Sequence, residues 1–303
     1  MRLQPLEIVK SGFVALVGRP NAGKSTLVNA LVGSKVAIIS DTPQTTRHRL
    51  RAIVDLDDAQ IVFVDTPGLH KPQDALGEEL NRSSMLALAD VDVACLVIDS
   101  AAAIGPGDRW VAHRVAEAKG HKVLILTKAD IVKARELEKQ LAVARGLGTF
   151  DDVVVCSART KFNVEGVIEA VKRLLPDGPR YFPRDMPTDQ PVEVMLAEFI
   201  RERILHLTHD EVPHAIGVSI EDMIRESEDL TRIEAIIYVE RDSQKGIIVG
   251  KGGEMIRRIG TDARVDLERL LGTRVFLDLR VKVKRDWRRD ATQIKRFGYG
   301  EGL

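Results

Sequence analysis

The sequence is short of cysteine, of net charge and of long apolar runs. It holds two cysteines in 303 residues. Cys95 and Cys156 each sit inside an apolar run, which reads as the core of a reduced, cytosolic protein and argues against a disulfide. Its 45 basic and 45 acidic residues cancel. No global field draws such a chain to a polyanion, so any nucleic-acid surface has to be local. No stretch approaches ~20 uninterrupted apolar residues, and no membrane-spanning helix is expected. The start, "MRLQPLEIVKSGFVALVG", lacks the apolar core of a signal peptide. Internal repeats and low-complexity tracts are also absent. The length suggests two domains.

What is present changes character partway along. From Phe13 to about Leu175, apolar runs such as "FVALVG", "QIVFVD", "VDVACLVID" and "KVLILTKAD" alternate with helical patterns such as "EELNRSSMLALAD" and "VEGVIEAVKRLL". Alternating β and α with continuous apolar strands predicts an α/β domain, residues 1–175, built on a mixed, mostly parallel sheet covered on both faces. Residues 176–191, "PDGPRYFPRDMPTDQP", are crowded with proline, which removes backbone donors; they read as a linker. Residues 192–283 follow an α-β-β-α-α-β order and predict an α+β domain. Residues 284–303 begin as a basic tail, "KRDWRRDATQIKRF", in which charge alternates with polar residues and no apolar stripe is evident.

The first domain carries a phosphate loop. Gly18, Arg19, Pro20, Asn21, Ala22, Gly23, Lys24 and Ser25 fit G-x-x-x-x-G-K-[ST], with an apolar strand before them and "STLVNALVG", which brings in Thr26, as the helix after. Glycines let backbone N–H groups curl around a phosphate, and the helix dipole adds to the attraction. Lys24 supplies a point charge and Ser25 a hydroxyl for Mg²⁺. "VFVDTPG" then ends a strand with Asp65, whose carboxylate could hold Mg²⁺ through water. Thr66, Pro67 and Gly68 form the turn, and the Gly68 N–H could meet a γ-phosphate.

The base is read further along. "LILTKAD" ends another strand at the edge where nucleotides bind in open α/β sheets. Asp130 could accept two hydrogen bonds from guanine, which adenine cannot offer in that geometry. Lys128 could lay its stem along the base, beside Ala129. Ser157 and Ala158 end the next strand, and the Ala158 N–H could meet guanine O6.

Together these segments resemble the five motifs of the GTPase superfamily, which implies a P-loop fold, GTP and GDP as ligands, Mg²⁺ as cofactor and GTP hydrolysis. There is one departure. Thr127 stands where that family usually has an asparagine tying the base loop to the phosphate loop; threonine keeps an oxygen and loses the amide. "SDTPQTTRHR" occupies the switch I position, where Thr45 or Thr46, with Thr46 favoured, could give Mg²⁺ a second hydroxyl. Lys24, Thr46, Asp65 and Gly68 are thus the candidate catalytic residues. Leu69 takes the place of the water-orienting glutamine of Ras-like enzymes, so unaided turnover should be slow. This resembles a translation-factor-like branch, several members of which hold potassium through a phosphate-loop asparagine; Asn21 matches it.

A second glycine-lysine loop lies in "IIVGKGGEMIRRIG". It fails as a phosphate loop: a short helix precedes it, and Gly252 stands where Ser or Thr should follow Lys251. Helix, G-x-x-G, helix within α-β-β-α-α-β resembles a type II KH domain, whose loop admits a single-stranded backbone and whose groove holds about four nucleotides. Ile247, Ile248 and Ile256 would line that groove or its floor. Gly250, Gly252 and Gly253 would let the backbone approach, and Lys251, Arg257 and Arg258 would meet phosphates, with Arg285 and Arg288 of the tail beside them.

A GTPase with "DTPGL", "QTTRH", a proline linker and a KH domain resembles the Era-type GTPases of bacterial ribosome assembly. That resemblance implies single-stranded RNA binding at the 3′ region of small-subunit 16S ribosomal RNA, help in assembling the small subunit, and a cytoplasmic monomer. One rival is a GTPase in peripheral contact with the inner face of the membrane, docked by the tail on anionic lipid. Another is an ATPase or kinase with an unrelated appended domain.

Overall fold

The computed structural model describes residues 7–299 except 43, 44, 70, 71, 73 and 211. Its first sheet runs β2 (Leu50–Asp55), β3 (Ala59–Asp65), β1 (Ile8–Gly18), β4 (Val93–Asp99), β5 (His121–Thr127), β6 (Asp152–Val155). The β2–β3 pair is antiparallel and the other neighbours are parallel. The mixed, mostly parallel sheet expected from the apolar runs is present. Every residue of β3 is buried, as continuous apolar strands require when helices cover both faces.

Helices α1 (Lys24–Val32) and α5 (Val164–Lys172) pack on one face. The other carries α2 (Ala75–Ala89), α3 (Pro106–Ala116) and α4 (Ala134–Arg145). Cys95 and Cys156 are buried and free, and burial pushes both thiols up, Cys156 to about 12 and Cys95 further. At neutral pH they are inert apolar packing.

The proline-rich segment is docked rather than free. β7 (Asp177–Pro179) pairs antiparallel with the start of β1. Arg180 then reaches Asp55 and the carbonyls of Leu56 and Asp57, and Gln60 Oε1 accepts from the Tyr181 and Phe182 N–H groups. Prolines leave the segment few donors, and Gln60 of the sheet takes up two of those that remain.

Beyond it come α6 (Val192–Leu207), β8 (Gly217–Arg225), β9 (Leu230–Val239), α7 (Asp242–Val249), α8 (Glu254–Leu271) and β10 (Arg274–Val283). The α-β-β-α-α-β order is as expected. The sheet runs β10-β9-β8, with β9–β10 parallel and β8–β9 antiparallel. The three helices share an apolar core with one face of it.

The tail departs most from expectation. Far from being a basic strand of charge without an apolar side, it buries Trp287, Ile294, Phe297 and Tyr299, around α9 (Ala291–Arg296), with Ile236 and Tyr238 of β9 and with Leu76 and Leu80 of α2. The Trp287 indole donates to the Ala215 carbonyl at 2.9 Å. The tail cements the second sheet to a helix of the first domain. The spacing of its aromatics follows no single period because Trp287 sits in a 3-10 turn while Phe297 and Tyr299 lie past α9. Among the described residues no helix is long and apolar enough to cross a membrane.

Candidate functional site

The phosphate loop joins β1 to α1. Asn21 and Gly23 adopt the left-handed conformation, at φ 63° and 85°, and α1 opens with its free N–H groups facing the cleft. Lys24 is buried, its Nζ donating to the carbonyls of Gly18 (3.2 Å) and Arg19 (3.0 Å). Burial drives its pKa down to about 8, against the pull of Asp65. A buried ammonium held by carbonyls is poised to gain from phosphate oxygens.

Ser25, Thr46 and Asp65 come together beside it. Ser25 Oγ lies 2.9 Å from Thr46 Oγ1 and donates to Asp65 Oδ2 at 2.8 Å. Asp65 is fully buried and its Oδ1 has no hydrogen-bond partner among the described residues. Burial raises its pKa, opposed by Lys24, Ser25 and Thr46. Two hydroxyls and one carboxylate with a spare oxygen suit Mg²⁺, which takes few protein ligands and completes its shell with water and phosphate. Among the described residues no group of three or more His, Cys, Asp or Glu could hold a metal. Thr45, the alternative to Thr46, turns its hydroxyl to the carbonyls of Ser40 and Thr42.

The "DTPG" turn lies against the loop. Thr66 Oγ1 donates to the Leu16 carbonyl at 2.9 Å, and the Pro67 carbonyl accepts from Ser84. A Cβ on Gly68 would meet Pro20 N at 2.6 Å, so only glycine allows the turn this close. Leu69 is 1% exposed and its N–H donates to the Gly18 carbonyl. Its side chain packs in the core and cannot orient water. Asn21 Nδ2 donates to the Asp41 carbonyl at 2.6 Å, which leaves its Oδ1 as the amide's acceptor. Arg19 turns aside to Asp108 at 3.0 Å. Ala22 is buried, and Thr26 lines the cleft.

At the base end the departure from asparagine is compensated. Thr127 Oγ1 donates to the Ala22 carbonyl at 2.7 Å, with the Ile98 carbonyl next at 3.1 Å. The hydroxyl alone ties base loop to phosphate loop. Lys128 sits in the left-handed region at φ 58°, its ammonium on Asp99 at 2.7 Å. The Ala129 N–H reaches the Cys156 carbonyl. Ser157 Oγ donates to Asp130 Oδ1 at 2.7 Å, orienting an exposed carboxylate, and half-buried Ala158 follows it.

In the second loop Gly250, Gly252 and Gly253 all have positive φ, at 73°, 60° and 79°. A Cβ at Gly250 would meet Met255 Cβ at 2.7 Å, whereas Gly252 and Gly253 face open space. Lys251, Arg257 and Arg258 are exposed around it, Ile247 is half-exposed, Ile256 is partly buried and Ile248 is core. Of the two tail arginines, Arg285 is exposed. Arg288 is already engaged, with Glu240 at 3.1 Å and Asp74 at 3.4 Å; it braces the tail against α2 rather than standing free for a phosphate. The tail, the element of the membrane-surface reading, has its apolar residues packed against both domains.

A set of contacts to switch I escapes a reading of the sequence alone. Thr45, Arg47 and His48 all meet the second domain. Arg47 is 1% exposed and donates to the carbonyls of Ile216 and His214, while Trp287 and Tyr299 lie over its guanidinium. An arginine in a polar loop gives no hint of this, because arginine is almost always exposed.

The family described as 50S ribosome-binding GTPase matches residues 13–128, and the family described as KH domain matches residues 211–288. A variant of Aquifex aeolicus Era, solved bound to GDP·AlF₄⁻, is 35% identical with a TM-score of 0.93, over 97% of this chain and 100% of that one. Era in complex with MgGDPNP and nucleotides 1506–1542 of 16S ribosomal RNA matches with the same values. Similarity at that level across both domains, with a GTPase site in the first and a glycine loop between helices in the second, means that the chain belongs to the Era family of GTPases.

Proposed function

We propose that this GTPase alternates between GTP and GDP states at the phosphate-loop site and binds single-stranded RNA through the "GKGG" loop, at the 3′ region of 16S ribosomal RNA, in assembly of the small ribosomal subunit. The observation that carries the nucleotide half is the convergence of Ser25, Thr46 and Asp65, with one carboxylate oxygen buried and unpartnered among the described residues. The relatives crystallised with GDP·AlF₄⁻, with MgGDPNP and with 16S rRNA nucleotides support both halves.

In this reading the Lys24 ammonium leaves the Gly18 and Arg19 carbonyls for the β- and γ-phosphates. Bound Mg²⁺ supplies neutralisation of the charge that develops on the phosphate oxygens. Ser25 and Thr46 would give it hydroxyls, and Asp65 would hold its water. Asp130, oriented by Ser157, reads guanine. Leu69 contributes no hydrogen bond to the attacking water, so unaided turnover is slow. Lys251, Arg257 and Arg258 meet the phosphates of the RNA, and the three positive-φ glycines let the strand approach.

Replacing Lys251 and Gly252 together by aspartate tests the assignment. Two carboxylates then face a chain of phosphates. Anisotropy with a short single-stranded RNA should show at least ten-fold weaker binding. The salt slope should flatten by about 0.7 for each phosphate that the protein no longer neutralises. Phosphate release without RNA should stay at the parent rate. Undiminished RNA affinity would reduce "GKGG" to a turn between helices.

A further inference from the structure

Helix α6 belongs to the second domain, yet one polar stripe of it holds switch I of the first. Glu198, Arg201, Glu202 and His206 recur at the three- and four-residue spacing of one helical face. Glu202 Oε1 accepts from the Ile39 N–H at 2.8 Å, and its other oxygen takes Lys35. His206 Nε2 meets the Ile39 carbonyl at 2.8 Å. Arg201 donates from Nη2 to the Thr45 carbonyl while Glu198 grips its guanidinium at 2.8 and 2.6 Å. Arg201 is 0% exposed. Burial penalises the Glu198 carboxylate, but Arg201, His48 and Arg47 together hold it below the usual range, so the pair stays ionised.

The carbonyl that Arg201 holds belongs to the residue before Thr46. Fixing it fixes the next peptide, and with it a hydroxyl 2.9 Å from Ser25 Oγ. On the other side Arg47 is anchored to the carbonyls of Ile216 and His214. Thr46 is thus held between two arginine contacts that both depend on the second domain.

We propose that Arg201 is a positioning residue for the GTPase reaction: from the RNA-binding domain it sets Thr46 for the metal, through the Thr45 carbonyl. This rests on the metal site assigned under the proposed function. A ligand that needs Thr46, the magnesium–triphosphate state, then feels the second domain, and a diphosphate that does not need Thr46 does not.

The test uses the full chain and reads the Mg²⁺ midpoint of GTP hydrolysis together with GDP affinity. Arg201→Ala should raise the Mg²⁺ midpoint about ten-fold and lower kcat by a similar factor. GDP affinity should stay within two-fold. Arg201→Lys keeps a donor for the carbonyl and a partner for Glu198, and should return the midpoint to within about three-fold of the parent; it also serves as the test if the alanine variant does not fold. Ser25→Ala is the control for the metal site itself. A shifted midpoint in Ser25→Ala with an unshifted one in the Arg201 variants overturns the positioning role alone. No shift in any variant overturns the metal assignment and this inference with it. Equal losses in GDP affinity and hydrolysis in Arg201→Ala, without recovery in Arg201→Lys, mean a merely structural arginine and also overturn it.

Discussion

The Lys24 ammonium should cost the empty protein stability, and its removal should reveal how much. The amine titrates near 10.5 in an unfolded chain and near 8 in the fold, because burial disfavours its charge. At about 1.4 kcal/mol for each pH unit, that gap amounts to about 3 kcal/mol. Between those pH values the unfolded chain holds the extra proton, so stability of the parent rises across pH 8 to 10.5, and the penalty is fully present below 8. Lys24→Met keeps the stem and deletes the charge. It also deletes the hydrogen bonds to the Gly18 and Arg19 carbonyls, which offsets at least about 1 kcal/mol for each. Without nucleotide at pH 7, the variant should be more stable than the parent by about 1 kcal/mol, or roughly 2 °C in the thermal midpoint. The difference should shrink as pH climbs towards 10. Binding of GDP should show the converse: parent affinity should fall above pH 8, approaching ten-fold per unit, since the empty site has given up a proton that the phosphates require. Circular-dichroism melts at pH 7 and 9.5, and a fluorescent GDP titration over the same range, give both readings. A variant less stable than the parent at pH 7, or a stability difference that ignores pH, would refute the reasoning.

Three further outcomes are expected. Thr127→Val keeps the shape but removes the hydroxyl that ties the base loop to the Ala22 carbonyl, and should weaken GDP binding about five- to ten-fold; unchanged binding would mean the tie is idle. Asp130→Asn should exchange guanine for xanthine, because an amide can donate to the xanthine carbonyl where guanine presents an amino group; equal GTP affinity before and after the change removes Asp130 from the base site. If the Oδ1 of Asn21 helps hold a potassium ion near the phosphates, turnover should be faster in K⁺ than in Na⁺ and Asn21→Ala should erase the difference; identical rates in the two salts in the parent would sink the idea.

The phosphate loop, switch I, the "DTPG" turn and the base loop are legible in the sequence because ligand chemistry dictates them locally. A phosphate needs consecutive N–H groups, so the glycines and Lys24 fall within one short loop. The strands β1 and β3 to β5 are legible because burial on both faces leaves continuous apolar runs. Thr127 shows the limit of motif reading: a missing amide implies a missing tie, and the hydroxyl makes that tie by a short direct bond. Only the path of the backbone decides whether the shorter side chain reaches.

What holds the domains together is not legible, for a different reason. Helical periodicity says which residues share a face, not what covers it. Glu198, Arg201, Glu202 and His206 look like a solvated, salt-bridged stripe. One signal is present: apolar residues surround the rest of "VEVMLAEFIRERILHL", and a helix apolar on nearly every side is buried on every side. The tail misleads for the complementary reason, since its charges hide four apolar residues. The two contacts differ in kind. The tail joins α2 to β9 by apolar burial, which water cannot replace without a cost of about 25 cal/mol per Å² exposed. The α6 contact to switch I consists of charged groups on backbone carbonyls and amides, each of which water can satisfy in turn. Switch I is therefore held by the kind of contact that can be exchanged, while α2 is held by the kind that cannot.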